Sequence, residues 1–355
     1  MKIWTSHSLM LNGKQLNPLR LTTLIANESD SLVINVLEFF KEWIREEEWL
    51  YQQTSGSTGK PKTIPVSKKS MIESALATIH YFGLGKGLKA LLCLSPDFIA
   101  GKMMIVRAMV SNMDLITKDV SANPIQNLDN YIGFAAMVPL QVNQILKQSP
   151  DKFRFIKTLI IGGSAIDPVL EKALQTIDTQ CFHTYGMTET LSHIALRPIN
   201  GINKTNWFTP LENIHISLDQ RDCLVIQVPY IQDNPLLTND LAEIDQYGNF
   251  KMLGRIDHVI VSAGRKIQPE EVERKIMHLF NKPFIISSVK DETAGEKIVL
   301  FCEQKHEIKA LYQLWKQLSE LLEPHQIPRQ IIHLEKIPLL ESGKTDRKGI
   351  IYFEK

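Results

Sequence analysis

Between residues 67 and 185 the chain repeats one pattern: a short apolar run, a polar turn, then a segment whose apolar residues return at helical spacing. Ala90–Leu94, Asp114–Ile116, Ile132–Val138, Thr158–Ile161 and Cys181–Thr184 are short and apolar and read as strands. Gly101–Val110, Leu140–Lys147 and Pro168–Ile177 read as helices. This alternation admits few folds. Neighbouring parallel strands need a crossover, and a helix that crosses over also covers a face of the sheet. The pattern predicts an α/β protein whose large N-terminal domain is a mostly parallel sheet flanked by helices. In such sheets ligands bind in the loops that leave the strand ends.

The flanks differ. Ser31–Trp49 carries Val33, Val36, Leu37, Phe40, Trp43 and Ile44 on one helical face. Asp30-Ser31-Leu32 ahead of it has a faint likeness to a phosphopantetheine attachment site but lacks the preceding glycine, and reads as a helix N-cap. From residue 186 to 254 helical periodicity fades, and runs such as Ile214–Leu218 and Cys223–Val228 predict a small β-rich subdomain. After Gly254 the order is strand, helix, strand, strand, helix, strand: Val259–Ser262, Glu270–Leu279, Phe284–Val289, Lys297–Cys302, Leu311–Leu322 and Gln330–Leu334. That predicts a small α+β C-terminal domain, with residues 1–256 forming the larger domain and 257–355 the smaller.

Composition excludes several classes. With 40 Lys plus Arg against 39 Asp plus Glu, no charge excess points to a nucleic-acid partner. Cys93, Cys181, Cys223 and Cys302 lie too far apart for a metal knuckle or a redox pair and read as reduced core thiols. No apolar run reaches the roughly 20 residues of a membrane span, and no signal pattern opens the chain. A cytoplasmic protein is the expectation; nothing in the sequence fixes an oligomeric state.

The chemistry concentrates in a few stretches. Thr54-Ser55-Gly56-Ser57-Thr58-Gly59-Lys60-Pro61-Lys62 follows a β-like run, Trp49–Gln52, and precedes a helical pattern that Ser67 can cap. Glycines let backbone N–H groups close on an anion, hydroxyls add donors, and lysine adds charge, so strand, loop and helix together predict a triphosphate cradle. It is not a Walker loop, and a plain surface turn is the competing reading. His183-Thr184-Tyr185-Gly186-Met187-Thr188-Glu189 leaves another strand end. There a ring can stack on a base, Thr188 can donate to a phosphate, and Glu189 can hold Mg²⁺.

Taken together, these stretches resemble the signatures of the adenylate-forming superfamily of acyl-CoA synthetases, adenylation domains and luciferases. Further segments follow in that family's order. Gly162-Gly163-Ser164-Ala165 looks like its adenine-pocket lining, with Tyr185 and Gly186 beside it. Thr238-Asn239-Asp240 looks like its Thr-Gly-Asp, whose aspartate binds the ribose hydroxyls; asparagine in the middle is a departure. Gly254-Arg255-Ile256-Asp257 looks like its hinge signature, with Arg255 on the ribose and Asp257 as pivot. Gly264 sits in a segment like the one lining that family's thiol tunnel, and Pro338–Lys344 resembles its C-terminal lysine motif. Gly343-Lys344-Thr345 is not a Walker loop, because Pro338 stands where glycine is required. The resemblance implies ATP, Mg²⁺ and coenzyme A as the small molecules used, Lys344, Thr188 and Glu189 as catalytic, and Glu189 as the metal ligand.

Within that superfamily, Phe98–Arg107 and Tyr185–His193 resemble o-succinylbenzoate–CoA ligases. Lys102 and Arg107 are then candidates to anchor a second carboxylate, with His183 and His193 near the acid. A solvated helix residue or a structural ion pair is the alternative for Arg107. Members of the superfamily commonly carry a longer stretch ahead of the phosphate loop than the 53 residues here, so part of the pocket wall is in question. Another acyl- or aryl-CoA ligase, a carrier-loading enzyme, and a non-catalytic nucleotide-binding relative are the competing readings.

Overall fold

The computed structural model describes residues 2–53, 63–305, 307–338, 345–347 and 349–350, and the chain divides into two compact units. The first comprises Met1–Ile166, Leu170–His215 and Gln227–Pro235. It opens with a small hairpin, β1 (Met10–Leu11) and β2 (Lys14–Gln15), followed by α1 (Leu21–Asn27) and α2 (Ser31–Trp43). The Asp30 carboxylate accepts the Leu32 and Val33 N–H groups at 2.8 and 3.2 Å, so this triplet is indeed an N-cap. Helix α2 stops at Trp43, short of the expected Trp49. Glu46, Glu47 and Glu48 would crowd negative charge at the negative end of the helix dipole, and Trp49 already belongs to the next strand. A buried lysine closes the helix instead: the Lys68 ammonium donates to the Glu42 and Arg45 carbonyls, each at 3.0 Å.

Strands β3 (Trp49–Gln53) and β4 (Thr63–Ser67) pair antiparallel, and α3 (Lys68–Phe82) follows β4 directly. The expected order of strand, phosphate loop and helix is therefore corrected. Residues 54–62, which lie outside the described residues, connect the two strands of a hairpin, and a second strand separates them from the helix. Alternation then proceeds through β5 (Lys89–Leu92), α4 (Ile99–Ser111), β6 (Asp114–Thr117), β7 (Ile132–Met137), α5 (Pro139–Gln148), β8 (Ile156–Ile161), α6 (Pro168–Ala173), β9 (Gln180–Gly186), β10 (His193–Pro198) and β11 (Thr209–Pro210).

The large sheet has nine strands in the order β11-β10-β9-β8-β7-β5-β6-β1-β2. From β9 across to β1 the pairs are parallel; β10, β11 and β2 run antiparallel at the edges. Every residue of β7 is buried, as a strand covered on both faces requires, which is why it reads as one apolar run. Ala135, Met137, Leu159 and Ile161 pack with Val142 and Ile145 of α5 on one side. On the other side Phe82 of α3 meets Phe134 and Phe182 at 5.4 and 4.9 Å between ring centroids. Strands β6 and β7 lie on opposite sides of β5, so the winding reverses there, and the loops after β5, β7, β8 and β9 open at one end of the sheet.

The second unit comprises Asp167–Val169, Ile216–Ile226 and Leu236–Lys355. Strands β12 (His215–Leu218), β13 (Cys223–Gln227), β14 (Leu236–Ile244) and β15 (Phe250–Arg255) form a four-stranded sheet in sequence order, the β-rich region expected. Beyond it come β16 (Ile260–Ser262), β17 (Arg265–Ile267), α7 (Pro269–Ile276), β18 (Phe284–Asp291), β19 (Gly295–Cys302), α8 (Ile308–Leu321) and β20 (Gln330–His333). Val272 and Ile276 of α7 and Leu314 and Leu318 of α8 pack on Ile260, Ile286, Ile298 and Leu300, which is the expected α+β arrangement. All four cysteines are buried and free, and burial pushes the Cys93 and Cys181 thiols up to about 12. Among the described residues no helix is long and apolar enough to cross a membrane.

Candidate active site

In the first unit the loops that leave β8 and β9 meet through two glycines that nothing larger can replace. A Cβ on Gly162 would lie 2.2 Å from Thr184 Oγ1, and one on Gly186 would lie 2.2 Å from the Ser192 carbonyl oxygen. Gly163 follows at φ +90°, a conformation open to glycine. Ser164 is brought to β9 as well, its carbonyl accepting from His183 Nε2 at 3.3 Å. The His183 ring packs 5.1 Å from Phe208, and Tyr185 lies 6.1 Å from the same ring. Burial, with help from the nearby Arg197 charge, pushes the His183 pKa down to about 4, so its imidazole is neutral.

Beyond Gly186 the chain makes a 3-10 turn, Thr188–Thr190, and reverses through Leu191 at φ +62°. The Thr190 hydroxyl holds this reversal: it accepts the Met187 N–H at 2.9 Å and points at the Ser192 carbonyl at 2.8 Å. The turn presents Thr188 half-buried and Glu189 exposed. No group of three or more metal-ligating side chains exists among the described residues. One exposed carboxylate beside a hydroxyl fits a Mg²⁺ ion that takes most of its oxygen ligands from phosphates and water.

For Arg107, the candidate carboxylate anchor, the alternative of a solvated helix residue or a structural ion pair does not hold among the described residues. Its residue exposure is 1%, and among the described residues it has no carboxylate partner. Nη2 donates to the Ser192 hydroxyl at 2.6 Å and reaches His193 Nδ1 at 3.5 Å; Nη1 contacts the Met104 sulfur at 3.8 Å; Nε has no partner. His193 is buried and, beside that cation, held well below the ordinary histidine range, chiefly by burial. With Nδ1 facing the guanidinium as acceptor, its Nε2–H donates to Thr78 Oγ1 at 3.1 Å. Burial pushes Arg107 itself down to about 9. Two further buried hydroxyls nearby, Ser74 Oγ and Tyr230 Oη, face each other and have no other hydrogen-bond partner among the described residues. Burial pushes the Tyr230 phenol up, against the opposing influence of Ser74 and of the Arg107 charge. The result is a desolvated cation with unspent donors around it.

Lys102 does not join this group. Its ammonium sits 6.0 Å over the Phe39 ring, lowered by burial and raised by Glu42 and Asp97. Sequence reading found Arg107 and His193 but missed Ser74, Thr78, Ser192 and Tyr230. Ser70, Ser74 and Thr78 recur every fourth residue along α3, a buried polar stripe that was there to be read.

In the second unit Asp240 and Arg255 stand opposite each other on β14 and β15, with Arg255 Nη1 donating to Asp240 at 3.2 Å. The same guanidinium grips Asp257 in a fork, Nε at 2.9 Å and Nη2 at 3.1 Å. Burial would raise Asp257, but the Arg255 bonds and charge outweigh it and hold the carboxyl below its usual range. Asn239, standing where the resembling family has glycine, accepts from Arg221 at 3.2 Å. Gly264 lies at φ +76° after Ala263 at φ +47°, the two-residue turn of the β16–β17 hairpin. Thr54, Ser55, Gly56, Ser57, Thr58, Gly59, Lys62 and Lys344 lie outside the described residues.

Residues 18–218 match the family model described as AMP-binding enzyme. The chain is 24% identical over 341 residues to a dimodular nonribosomal peptide synthase of Bacillus subtilis, covering 84% of this chain but 14% of that protein. It is thus similar to a small part of that much longer relative. Among solved structures it is similar to an acyl-CoA synthetase (AMP-forming)/AMP-acid ligase II-like protein from Dyadobacter fermentans, with 29% identity and a TM-score of 0.62, covering 94% of this chain and 97% of that one. An o-succinylbenzoate CoA synthetase from Bacillus subtilis, solved with the acyl-adenylate OSB-AMP, has the same fold at a TM-score of 0.74 and 21% identity, covering 84% of this chain and 68% of that one.

Proposed function

Because the chain belongs to the AMP-binding enzyme family, we propose that it is an AMP-forming ligase that joins a carboxylic acid to coenzyme A, and that its acid carries a second carboxylate. o-Succinylbenzoate is the acid that fits best. In the first half-reaction a carboxylate oxygen attacks the α-phosphorus of ATP and the bond to the bridging oxygen breaks, giving acyl-AMP and pyrophosphate. Residues 54–59 and Lys62 cradle the leaving phosphates. Gly163, Ser164, Ala165 and Tyr185 receive the adenine, and Asp240 and Arg255 the ribose. Thr188 and Lys344 donate hydrogen bonds where charge builds up at the α-phosphate. Glu189 would hold a Mg²⁺ ion, which would supply charge neutralisation at the phosphates. In the second half-reaction the thiol attacks the acyl carbon and AMP leaves, with residues 257–355 turning about Asp257 to exchange Lys344 for the Gly264 hairpin.

One observation carries the substrate class: Arg107, a guanidinium buried at 1% exposure with no carboxylate partner among the described residues and with Nε unspent. An uncompensated buried charge costs several kcal/mol, and a carboxylate from the substrate would offset that cost. A second reading, loading of a carrier protein's thiol, is favoured by the likeness to the peptide synthase. The test is pyrophosphate release from Mg-ATP with a panel of mono- and dicarboxylic acids, with and without coenzyme A. Selective turnover of o-succinylbenzoate to its CoA thioester is expected. Selective turnover of amino acids, with no thioester on coenzyme A, would replace this reading with carrier loading. Lys344→Ala should abolish acyl-AMP formation; an unchanged rate would refute its role.

A further inference from the structure

A guanidinium at 1% exposure cannot take a carboxylate from solution while its neighbours stay where they are, so an acid anchor at Arg107 needs a cover that opens. Most of what surrounds Arg107 is fixed. Met104 shares its helix, and Ser192 and His193 stand at the head of β10, with His193 bonded on to Thr78 of α3 at 3.1 Å. Tyr230 is different. It is carried by the connection between β13 and β14, its Oη lies within the influence of the Arg107 charge, and that hydroxyl has only Ser74 of the α3 stripe as a partner among the described residues.

The backbone under Tyr230 is firm. Its carbonyl accepts the Ser70 hydroxyl at 2.5 Å, the Val228 carbonyl accepts the Ile231 and Gln232 N–H groups at 3.0 and 3.3 Å, and Gln227 Nε2 donates to the Asp233 carbonyl at 2.9 Å. A movement of Tyr230 is therefore a change of side-chain rotamer on a fixed main chain. The ring also has a place to go. Tyr230 lines a cavity of about 190 Å³ whose other walls include Leu76 and Ala77 of α3, with Glu73, His80 and Glu212 supplying its polar side. A cavity of about 150 Å³ holds a benzene molecule, so this one has room for a phenol. Neither Glu73 nor Glu212 is in an ion pair among the described residues, so either carboxylate is open to the phenol O–H that leaves Ser74.

We propose that Tyr230 is the gate of the acid pocket: folded in on Ser74 it covers the buried guanidinium, and swung into the neighbouring cavity it opens Arg107 to the distal carboxylate of the acid. This rests on the ligase reading above, which gives Arg107 its carboxylate. Closed, the gate keeps water off the cation, and a charge pair made in a dry pocket is far stronger than one made in water. Open, the phenol exchanges one hydrogen bond for another, so neither position leaves it unpaired. An acid that reaches Arg107 favours the open position by its differential contact with it.

The experiment is a double-mutant cycle between gate and cavity. Ala77→Leu, and Ala77→Met as a more adaptable filler, occupy the space the ring must enter, and Tyr230→Ala removes the ring. Pyrophosphate release is measured against o-succinylbenzoate and against ATP, with folding checked by thermal unfolding. In the wild-type background either filler should raise the KM for o-succinylbenzoate about tenfold and leave the KM for ATP unchanged. In the Tyr230→Ala background the same fillers should change neither, because no ring needs the space. Protein made with 3-fluorotyrosine gives a second readout, in which the fluorine resonance absent from Tyr230→Phe belongs to Tyr230. That resonance should shift when o-succinylbenzoate is added with α,β-methylene-ATP, and should stay in place in Ala77→Leu. Fillers with the same effect in both backgrounds, whether a rise or none, or a Tyr230 resonance that the acid does not move, would overturn the gate and leave the ligase reading intact. No pyrophosphate release by wild type with any acid would instead overturn the ligase reading and this proposal with it.

Discussion

Arg107→Met tests the reading of the buried cation most directly, because it keeps an unbranched stem and removes only the guanidinium. If Arg107 holds the distal carboxylate of the acid, the variant loses a charge-assisted contact worth about 1.5–3 kcal/mol, or roughly 10- to 150-fold in kcat/KM for a dicarboxylate. A monocarboxylate of the same shape never used that contact and should lose little. Stability should move the other way. The fall of the Arg107 pKa from its ordinary value to about 9 corresponds to a burial cost on the order of 5 kcal/mol at about 1.36 kcal/mol per pH unit. Removing the group leaves the Ser192 hydroxyl without its donor and His193 Nδ1 with only that hydroxyl, at 3.4 Å, which returns about 1–3 kcal/mol. The net effect is a ligand-free variant more stable than wild type, by roughly 2–4 °C in Tm per kcal/mol for a unit of about 200 residues. The assays are pyrophosphate release with the paired acids and thermal unfolding of the ligand-free protein. A lowered Tm together with equal losses for both acids would make Arg107 a structural residue and refute the reasoning.

The same group gives a pH dependence with a definite sign. Below about 9 the guanidinium is charged and the KM for a dicarboxylate should be flat through the neutral range; above about 9 it should climb, by about tenfold per pH unit, while a monocarboxylate shows no such rise. Because the unfolded arginine holds its proton to well above that value, this residue adds stability as pH rises above about 9, visible as a shift in the urea midpoint. Gly186→Ala places a Cβ 2.2 Å from the Ser192 oxygen and 2.6 Å from the His193 Cα, both backbone atoms, and should cost about 3 kcal/mol or more and abolish adenylation. Gly85→Ala, with nothing within 4 Å, is the control and should leave Tm and rate unchanged. Arg347→Ala removes the partner of Glu273, bonded at 2.6 Å and already pushed up by burial, and should destabilise the second unit by about 3 kcal/mol in denaturant melts; Glu273→Gln in the same background should recover part of the loss.

The parallel strands were legible because a strand covered on both faces has no polar positions to break its run, as in Ile132-Gly133-Phe134-Ala135-Ala136-Met137. Some half-exposed antiparallel strands were not. β14 mixes buried and half-buried positions in Leu-Leu-Thr-Asn-Asp-Leu-Ala-Glu-Ile, and β4 carries Pro65, so neither has the apolar run that announces a strand. Gly162 and Gly186 could be seen in the sequence, but the reason each must be glycine could not, because Thr184 and Ser192 meet them only across a strand pairing. Arg107 was visible as a cation among apolar neighbours, and local spacing could not say whether it faced water. What buries it comes from far away in the chain: His193 and Ser192 are 86 and 85 residues on.

That distance also links acid binding to the chemistry. The guanidinium of Arg107 has two edges in use for different purposes. Nη2 is committed to Ser192 and His193, the residues that end the loop presenting Thr188 and Glu189, whereas Nε is uncommitted. A carboxylate arriving at the open edge adds to the existing bonds and does not compete with them. It offsets the cost of burying the cation and leaves the bond to the Ser192 hydroxyl in place. Thr190 carries that restraint back to Met187, one residue before Thr188, through bonds of 2.8 and 2.9 Å. On the proposed reading, the residue that would hold the far end of the acid also steadies the turn proposed to meet the phosphate. A planar donor with separate edges can do both, and a lysine ammonium, as a single point of charge, cannot.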